Sequence, residues 1–302
     1  LSGFEEIVLQ ILEGDTEMIP AQFDYATPAT LAEAVSLLAQ HPDDAKILAG
    51  GHSLIPAMKL RLAQPQLLID IGRIKDLSYI GEEGSEIRIG AMTTHYQIES
   101  SERLRQICPL LAETAAQIGD VQVRNRGTIG GSLAHSDPAA DWPPAIIALG
   151  AELVAVSQSG ERIISADDFF VDMLTTALEA GEILSEIRIR APQGSFGQAY
   201  RKVPQPASGF AVVGVAVHPT RNTAGACESA SIGITGVGSK AYRATEVEAR
   251  LKGSALDAQA ISDAASHATD GVDANGDLYA SADYRRHLAA VYTRRAIEAA
   301  AK

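Results

Sequence analysis

The chain has 302 residues, a hydrophobic fraction of 46%, a charged fraction of 21% and a formal net charge of −13. These values describe a globular protein of roughly two or three subdomains and exclude a disordered chain. The acidic balance, with no long basic run, excludes a binder of the nucleic-acid backbone, which needs clustered Lys and Arg.

Residues 1–17 read as an N-terminal extension, vector-derived or natural, ahead of a start at Met18. The acidic N-terminus lacks the basic region of a secretory signal. No apolar run is long enough to span a bilayer. "TPATLAEAVSLLAQHP" (27–42) predicts a helix, with Pro28 in its first turn and Thr30 and Glu33 at capping-box spacing. Leu31, Ala34, Val35 and Leu38 form its apolar face. A strand "KILAG" (46–50), a glycine loop and the apolar run "QLLIDIGRI" (66–74) follow, so residues 18–77 form a small α/β subdomain.

In "SEIRIGAMTTHYQIES" (85–100), Ile87 and Ile89 alternate with polar residues as in a half-buried strand. "CPLLAETAAQIG" (108–119) predicts a helix ending at Gly119. "AELVAVSQSGERIIS" (151–165) reads as a hairpin with a Ser-Gly turn, and "GEILSEIRI" (181–189) as a strand. Residues 78–190 thus form a second, larger α+β unit. "APQGS" (191–195) marks a boundary. Beyond it lie strands "FAVVGVAV" (210–217) and "ESASIGITGV" (228–237), helices over 240–252 and 256–268, and a last helix from near Asp283. Residues 191–302 form a C-terminal domain.

The two cysteines, Cys108 and Cys227, are far apart and have no CxxC or His/Cys cluster beside them. They offer no iron–sulfur or zinc ligand set and read as buried thiols, compatible with a reducing compartment. Redox chemistry here requires a non-covalent organic cofactor.

Two stretches carry the candidate chemistry. "AGGHSL" (Ala49, Gly50, Gly51, His52, Ser53, Leu54) follows a strand. "TIGGS" (Thr128, Ile129, Gly130, Gly131, Ser132) sits in a strand-like apolar run behind Arg124 and Arg126. Glycines let a ligand approach the backbone, and consecutive amides in such a turn form an anion nest. An isolated Gly-Gly is otherwise a plain turn. Two such loops with hydroxyls suit two adjacent phosphates, hence a dinucleotide pyrophosphate, with the arginines either offsetting its charge or solvated. Neither loop fits G-x-G-x-x-G or G-x-x-x-x-G-K-S/T, so Rossmann and P-loop readings are disfavoured.

"AGGHSLIPAMKLRLAQPQLLIDI" and "VQVRNRGTIGGSLAHSDPAADWPPAIIALGA" closely resemble the FAD-binding medium subunits of the molybdenum hydroxylase family. That family includes the medium subunit of aerobic carbon monoxide dehydrogenase and the flavin domain of xanthine dehydrogenase. The likeness runs from Met18 to near the C-terminus and takes in "FDY", "FAVVGVAV" and "RRAIEAA". It implies an α+β protein. Its parts are a two-subdomain FAD-binding fold of the vanillyl-alcohol-oxidase/peptidoglycan-reductase type and a C-terminal sheet-and-helix domain.

The resemblance also implies site residues. The loops matching Ile47, Leu48 and Ala49 to Leu54, and Thr128 to Ser132, wrap the FAD pyrophosphate. Asp141 contacts the adenosine part, Leu184 and Lys202 lie at the nucleotide or flavin, and Ile118 is a further apolar contact. Tyr200 faces the isoalloxazine ring or is a strand tyrosine; Lys202 favours a reduced anionic flavin or is a solvated strand lysine. The family often has Asn or Asp where this chain has Ser132, which alters the detail of that contact.

Other polar residues have plainer readings. Asp137 is a turn former before Pro138. His52 and His135 shape their loops by hydrogen bonding, with no partner carboxylate for base catalysis. Trp142 packs beside the second motif.

The function implied by the resemblance is that of an electron-transfer flavoprotein subunit, an oxidoreductase component with no catalytic side chains of its own. A large partner subunit carries a molybdenum cofactor, where substrate is hydroxylated, and a small one carries two [2Fe-2S] clusters. Electrons reach FAD in this chain and leave to an external acceptor. The assembly is a dimer of heterotrimers, cytoplasmic or held at the inner face of the membrane. The alternatives are a stand-alone FAD-dependent oxidoreductase of the same fold and a flavin-free scaffold.

Overall fold

The computed structural model describes residues 18–302, so the extension assigned to 1–17 lies outside the described residues. The first unit holds β1 (Asp24–Ala26), α1 (Leu31–Gln40), β2 (Ala45–Leu48), α2 (Leu54–Lys59) and β3 (Leu67–Asp70). Its three strands pair in parallel in the order β1-β3-β2. Helix α1 buries Ala34, Val35 and Leu38 as its periodicity predicts. The Thr30 hydroxyl caps it by accepting from Glu33 N at 3.2 Å, while the Glu33 carboxylate reaches Ala29 N at 2.8 Å instead of the cap residue. Pro28 therefore precedes the helix and does not sit in its first turn.

The second unit is larger. Strands β4 (Ile80–Glu83) and β5 (Glu86–Gly90) lead to α3 (His95–Ser100), α4 (Glu102–Ile107), α5 (Pro109–Ala116), α6 (Val121–Arg126), α7 (Ile129–His135) and α8 (Trp142–Ala148). Then come β6 (Glu152–Ser157), β7 (Gly160–Ser165), α9 (Ala166–Phe169), β8 (Phe170–Asp172), β9 (Thr175–Thr176) and β10 (Ile183–Arg190). An antiparallel sheet runs β4-β5-β10-β6-β7. The predicted hairpin is present, with its turn one residue earlier than the Ser-Gly reading: Ser157 pairs with Gly160 across Gln158 and Ser159.

The C-terminal unit has β11 (Ser195–Phe196), β12 (Ala199–Pro204), β13 (Ala211–Arg221), β14 (Cys227–Thr235) and β15 (Tyr242–Arg243). Helices α10 (Thr245–Leu251), α11 (Ala258–Ala265) and α12 (Ala282–Ala300) cover this sheet. The two predicted internal helices are shorter than the sequence suggests, and β12 was foreshadowed only by the strand reading of Tyr200.

The units interlock. Tyr200, Ala216 and Ala241, all after the boundary at 191–195, sit in one buried cluster with Ile87, Ile89, Leu133 and Trp142. Gly233 of β14 lies so close to α8 that an added Cβ would come within 2.8 Å of Pro144 Cα. Ala211 N donates to Ala139 O (3.0 Å) and Gly236 N to Pro138 O (2.8 Å), so backbone bonds stitch the loop before α8 to the C-terminal sheet. Both cysteines are buried and free, and burial pushes the Cys108 thiol up to about 12.

Candidate cofactor site

The first glycine motif turns the chain from β2 into α2. Gly51 adopts φ +79°, which a side chain would strain. The amides of Gly50, Gly51, His52 and Ser53 donate to no acceptor among the described residues. Four consecutive open N–H groups ahead of a helix are donors of the kind an anion can use.

The second motif is not a loop. Ile129 to His135 are helical, and Thr128 caps that helix with its hydroxyl accepting from Gly131 N at 3.1 Å. Its amides are already spent: Ile129 N donates to Thr93 O (3.0 Å), Gly130 N to Ala91 O (2.9 Å) and Ser132 N to Thr128 O (3.1 Å). What remains is the Ser132 hydroxyl and the Thr128 hydroxyl proton. A strand-like apolar pattern misled here because the two glycines hide helical periodicity.

The structure brings the two motifs together. A Cβ on Gly50 would meet Arg126 O and come within 2.7 Å of Gly127 Cα. A Cβ on Gly131 would lie 3.3 Å from Ala49 Cβ. Thr94 and Thr128 form a β-bridge beside this contact. A cleft of about 590 Å³ opens here, lined from the first unit by Ala49, Gly50, Ile74 and Lys75 and from the second by Thr94, Tyr96, Arg126 and Thr128. Arg126 and Lys75 bring positive charge to it. Arg124 does not, because it pairs with Glu99 at 2.7 Å and donates to Ile118 O and Gly119 O.

Gly130 faces away from the cleft. A Cβ there would lie 2.7 Å from Ala91 O and 2.8 Å from Ala91 Cα, so this glycine lets α7 pack on the end of the β5 strand. Gly130→Val is expected to cost several kcal/mol by overpacking and to lower FAD retention by displacing α7. Its flavin-to-protein ratio and unfolding midpoint should fall together; a lowered ratio at an unchanged midpoint would count against this packing role.

The remaining predicted residues lie elsewhere. Lys202 Nζ donates to Asp141 Oδ1 (2.9 Å) and Oδ2 (3.0 Å), to Gln117 O (2.6 Å) and to Gly209 O (2.7 Å). Tyr200 Oη donates to Asp141 Oδ1 at 2.5 Å. Burial raises the Asp141 carboxyl against the pull of Lys202, and burial together with Asp141 raises the Tyr200 phenol well above its usual value. Tyr200 is 0% exposed and presents no face to a ligand in this structure. Leu184 is buried in the central cluster, and Ile118 packs on its edge. His52 is exposed, and neither His52 nor His135 makes a side-chain hydrogen bond among the described residues, so neither shapes its loop that way. Asp137 does form a turn, accepting from Ala139 N at 2.8 Å.

One polar pair escaped the sequence. Trp142 Nε1 donates to His95 Nδ1 at 3.0 Å inside the core. The partners are 47 residues apart, so no local pattern announces them. Burial lowers His95 to about 3, with His52 and Arg124 adding to the effect, and burial lowers His218 to about 4. Both rings stay neutral in the native state while an unfolded histidine charges below its ordinary 6.5. The stability these two rings contribute is therefore full above about pH 6.5 and is lost on acidification, toward about 4 for His218 and about 3 for His95. Each ring contributes a slope of up to about 1.4 kcal/mol per pH unit. Denaturant midpoints at about pH 7.5 and pH 5 should differ accordingly, and His95→Gln should flatten the difference.

Comparison with known proteins gives the family. Residues 21–192 match the family model described as the FAD binding domain in molybdopterin dehydrogenase, and residues 198–300 match the CO dehydrogenase flavoprotein C-terminal domain. The chain is 43% identical over 283 residues to the carbon monoxide dehydrogenase medium chain of Hydrogenophaga pseudoflava, covering 94% of this chain and 98% of that one. It is 35% identical to caffeine dehydrogenase subunit beta of Pseudomonas sp. strain CBB1, covering 94% and 96%. A solved structure of reconstituted CO dehydrogenase from Oligotropha carboxidovorans superposes with a TM-score of 0.90 at 42% identity, covering 94% of this chain and 99% of that one. No helix among the described residues is long and apolar enough to cross a membrane. The chain belongs to the FAD-binding medium subunits of the molybdopterin dehydrogenases, the flavoprotein components of multisubunit oxidoreductases, and stands close to the carbon monoxide dehydrogenase medium chain.

Proposed function

We propose that FAD binds in the cleft between the first two units and that the chain passes electrons from a small subunit with two [2Fe-2S] clusters to an external acceptor. A large subunit with a molybdenum cofactor would carry the substrate reaction. The observation that supports this most is the meeting of the two glycine motifs beside four open amides. Bound FAD supplies the exchange between one-electron donors and a two-electron acceptor.

The chain's own residues have simpler tasks. Amides of Gly50, Gly51, His52 and Ser53 hold the pyrophosphate, and the hydroxyls of Thr128 and Ser132 donate to it from the other side. Arg126 and Lys75 offset its charge. Ile47, Leu48, Leu54 and Ile129 fix the turn and helix from behind. Asp141, Lys202, Tyr200, Leu184 and Ile118 act as the support beneath. Lys202 grips Gln117 O just ahead of α6, the helix that ends at Arg126.

The purified full chain should show a flavin spectrum without iron–sulfur absorption, with about one FAD per chain after reconstitution. Co-expression with partner subunits should yield a complex that reduces a dye acceptor. A colourless chain that takes up no FAD would sink the proposal.

A further inference from the structure

Resting on the flavin-site reading above, we propose that His95 is a fixed hydrogen-bond donor to the bound cofactor, presented through Nε2–H between Gly127 and the first glycine motif. Nothing in the two motifs points to it. The inference follows from which ring nitrogen is left over.

An indole nitrogen only donates. Trp142 Nε1 donates to His95 Nδ1 at 3.0 Å, so Nδ1 carries a lone pair and the ring proton of neutral His95 is on Nε2. That Nε2–H has no acceptor among the described residues, although the side chain is almost wholly buried, with His95 4% exposed. This nitrogen is not among the fully enclosed polar atoms that lack a partner, so the small exposure the ring keeps leaves its N–H open to an acceptor from outside the protein.

Its surroundings say where the partner lies. A Cβ on Gly127 would come within 2.6 Å of Nε2, so the nitrogen lies against the one residue that separates Arg126 from Thr128. Gly127 also supports Gly50 of the first motif. His95 N donates to Gly127 O at 3.0 Å, which fixes the ring's base to the same turn. The residues on either side, Thr94 and Tyr96, line the cleft. His95 also lies within electrostatic reach of His52, in the turn with the four open amides. An acceptor atom of the cofactor at this junction, with phosphate oxygen the strongest candidate by chemistry, would complete the donor set. A neutral donor gives direction there without adding a titrating charge.

The test uses the full chain stripped of FAD and titrated with FAD. His95→Leu is expected to weaken binding about 10- to 100-fold, the loss of one charge-assisted hydrogen bond. His95→Gln, whose amide reaches a similar point, should stay within about threefold of wild type. Unfolding midpoints of the two stripped variants should match, because both lose the Trp142 contact. Nitrogen-15 spectra of histidine-labelled wild type should show one Nε2–H tautomer that shifts on adding FAD. Equal FAD affinity of His95→Leu and wild type, equal losses in the Leu and Gln variants, or an unmoved Nε2 signal would each overturn the proposal. Failure of wild type itself to bind FAD would instead overturn the flavin-site reading on which it rests.

Discussion

Gly50→Val should purify without FAD. The first Cβ atom of the valine would lie 2.7 Å from Gly127 Cα and 3.0 Å from the Arg126 carbonyl carbon, both backbone atoms that no rotamer change can move. The turn must then shift away from the second motif, and the open amides of Gly50 to Ser53 shift with it. Misdirecting two charge-assisted hydrogen bonds costs about 3 kcal/mol, or about 100-fold in affinity. Gly150→Ala is a control. Gly150 also has positive φ, at +59°, but nothing stands within 4 Å of an added Cβ. That variant should lose about 1 kcal/mol of stability and keep its flavin. Visible absorbance per protein measures both, and a wild-type ratio in Gly50→Val would remove the first motif from the site.

Lys202→Met should be strongly destabilising. The Lys202 and Asp141 side chains are each 4% exposed, so removing the ammonium strands a carboxylate in the core. Breaking such a pair costs about 3–5 kcal/mol, which for a chain of this size lowers the unfolding temperature by roughly 10 °C. The carbonyls of Gln117 and Gly209 lose their donor as well. Asp141→Leu combined with Lys202→Met should recover much of the loss, because two apolar groups leave no charge uncompensated. Thermal unfolding of the stripped chain decides the matter. Equal losses in the single and double variants would show that the pair's hydrogen bonds, and not its stranded charge, set the cost.

The sequence announced what is local. Helix α1 could be read because apolar spacing and a Thr cap act within one turn, and the β6–β7 hairpin because its turn is two residues long. The glycine motifs could be seen as unusual, and their resemblance to a family named the cofactor. Their division of labour was hidden. Whether an amide is open depends on distant acceptors such as Ala91 O and Thr93 O, and these pairings come only with the fold. The same holds for Tyr200, Asp141 and Lys202, which look like three separate contacts along the chain and form one buried cluster. His95 was illegible for a related reason: its role is set by a tryptophan in another helix.

Tyr200, Ala216 and Ala241 also bear on the order in which the chain is made. They fill the centre of the flavin unit, yet the ribosome delivers them after residues 21–192 have emerged. During that interval the nascent flavin unit lacks a tyrosine-sized part of its interior and the ammonium that Asp141 requires. A fragment cut at the family boundary would lack these side chains and the Lys202 ammonium. The C-terminal unit thus supplies part of the interior of the flavin unit, and residues made late complete a core begun by earlier ones.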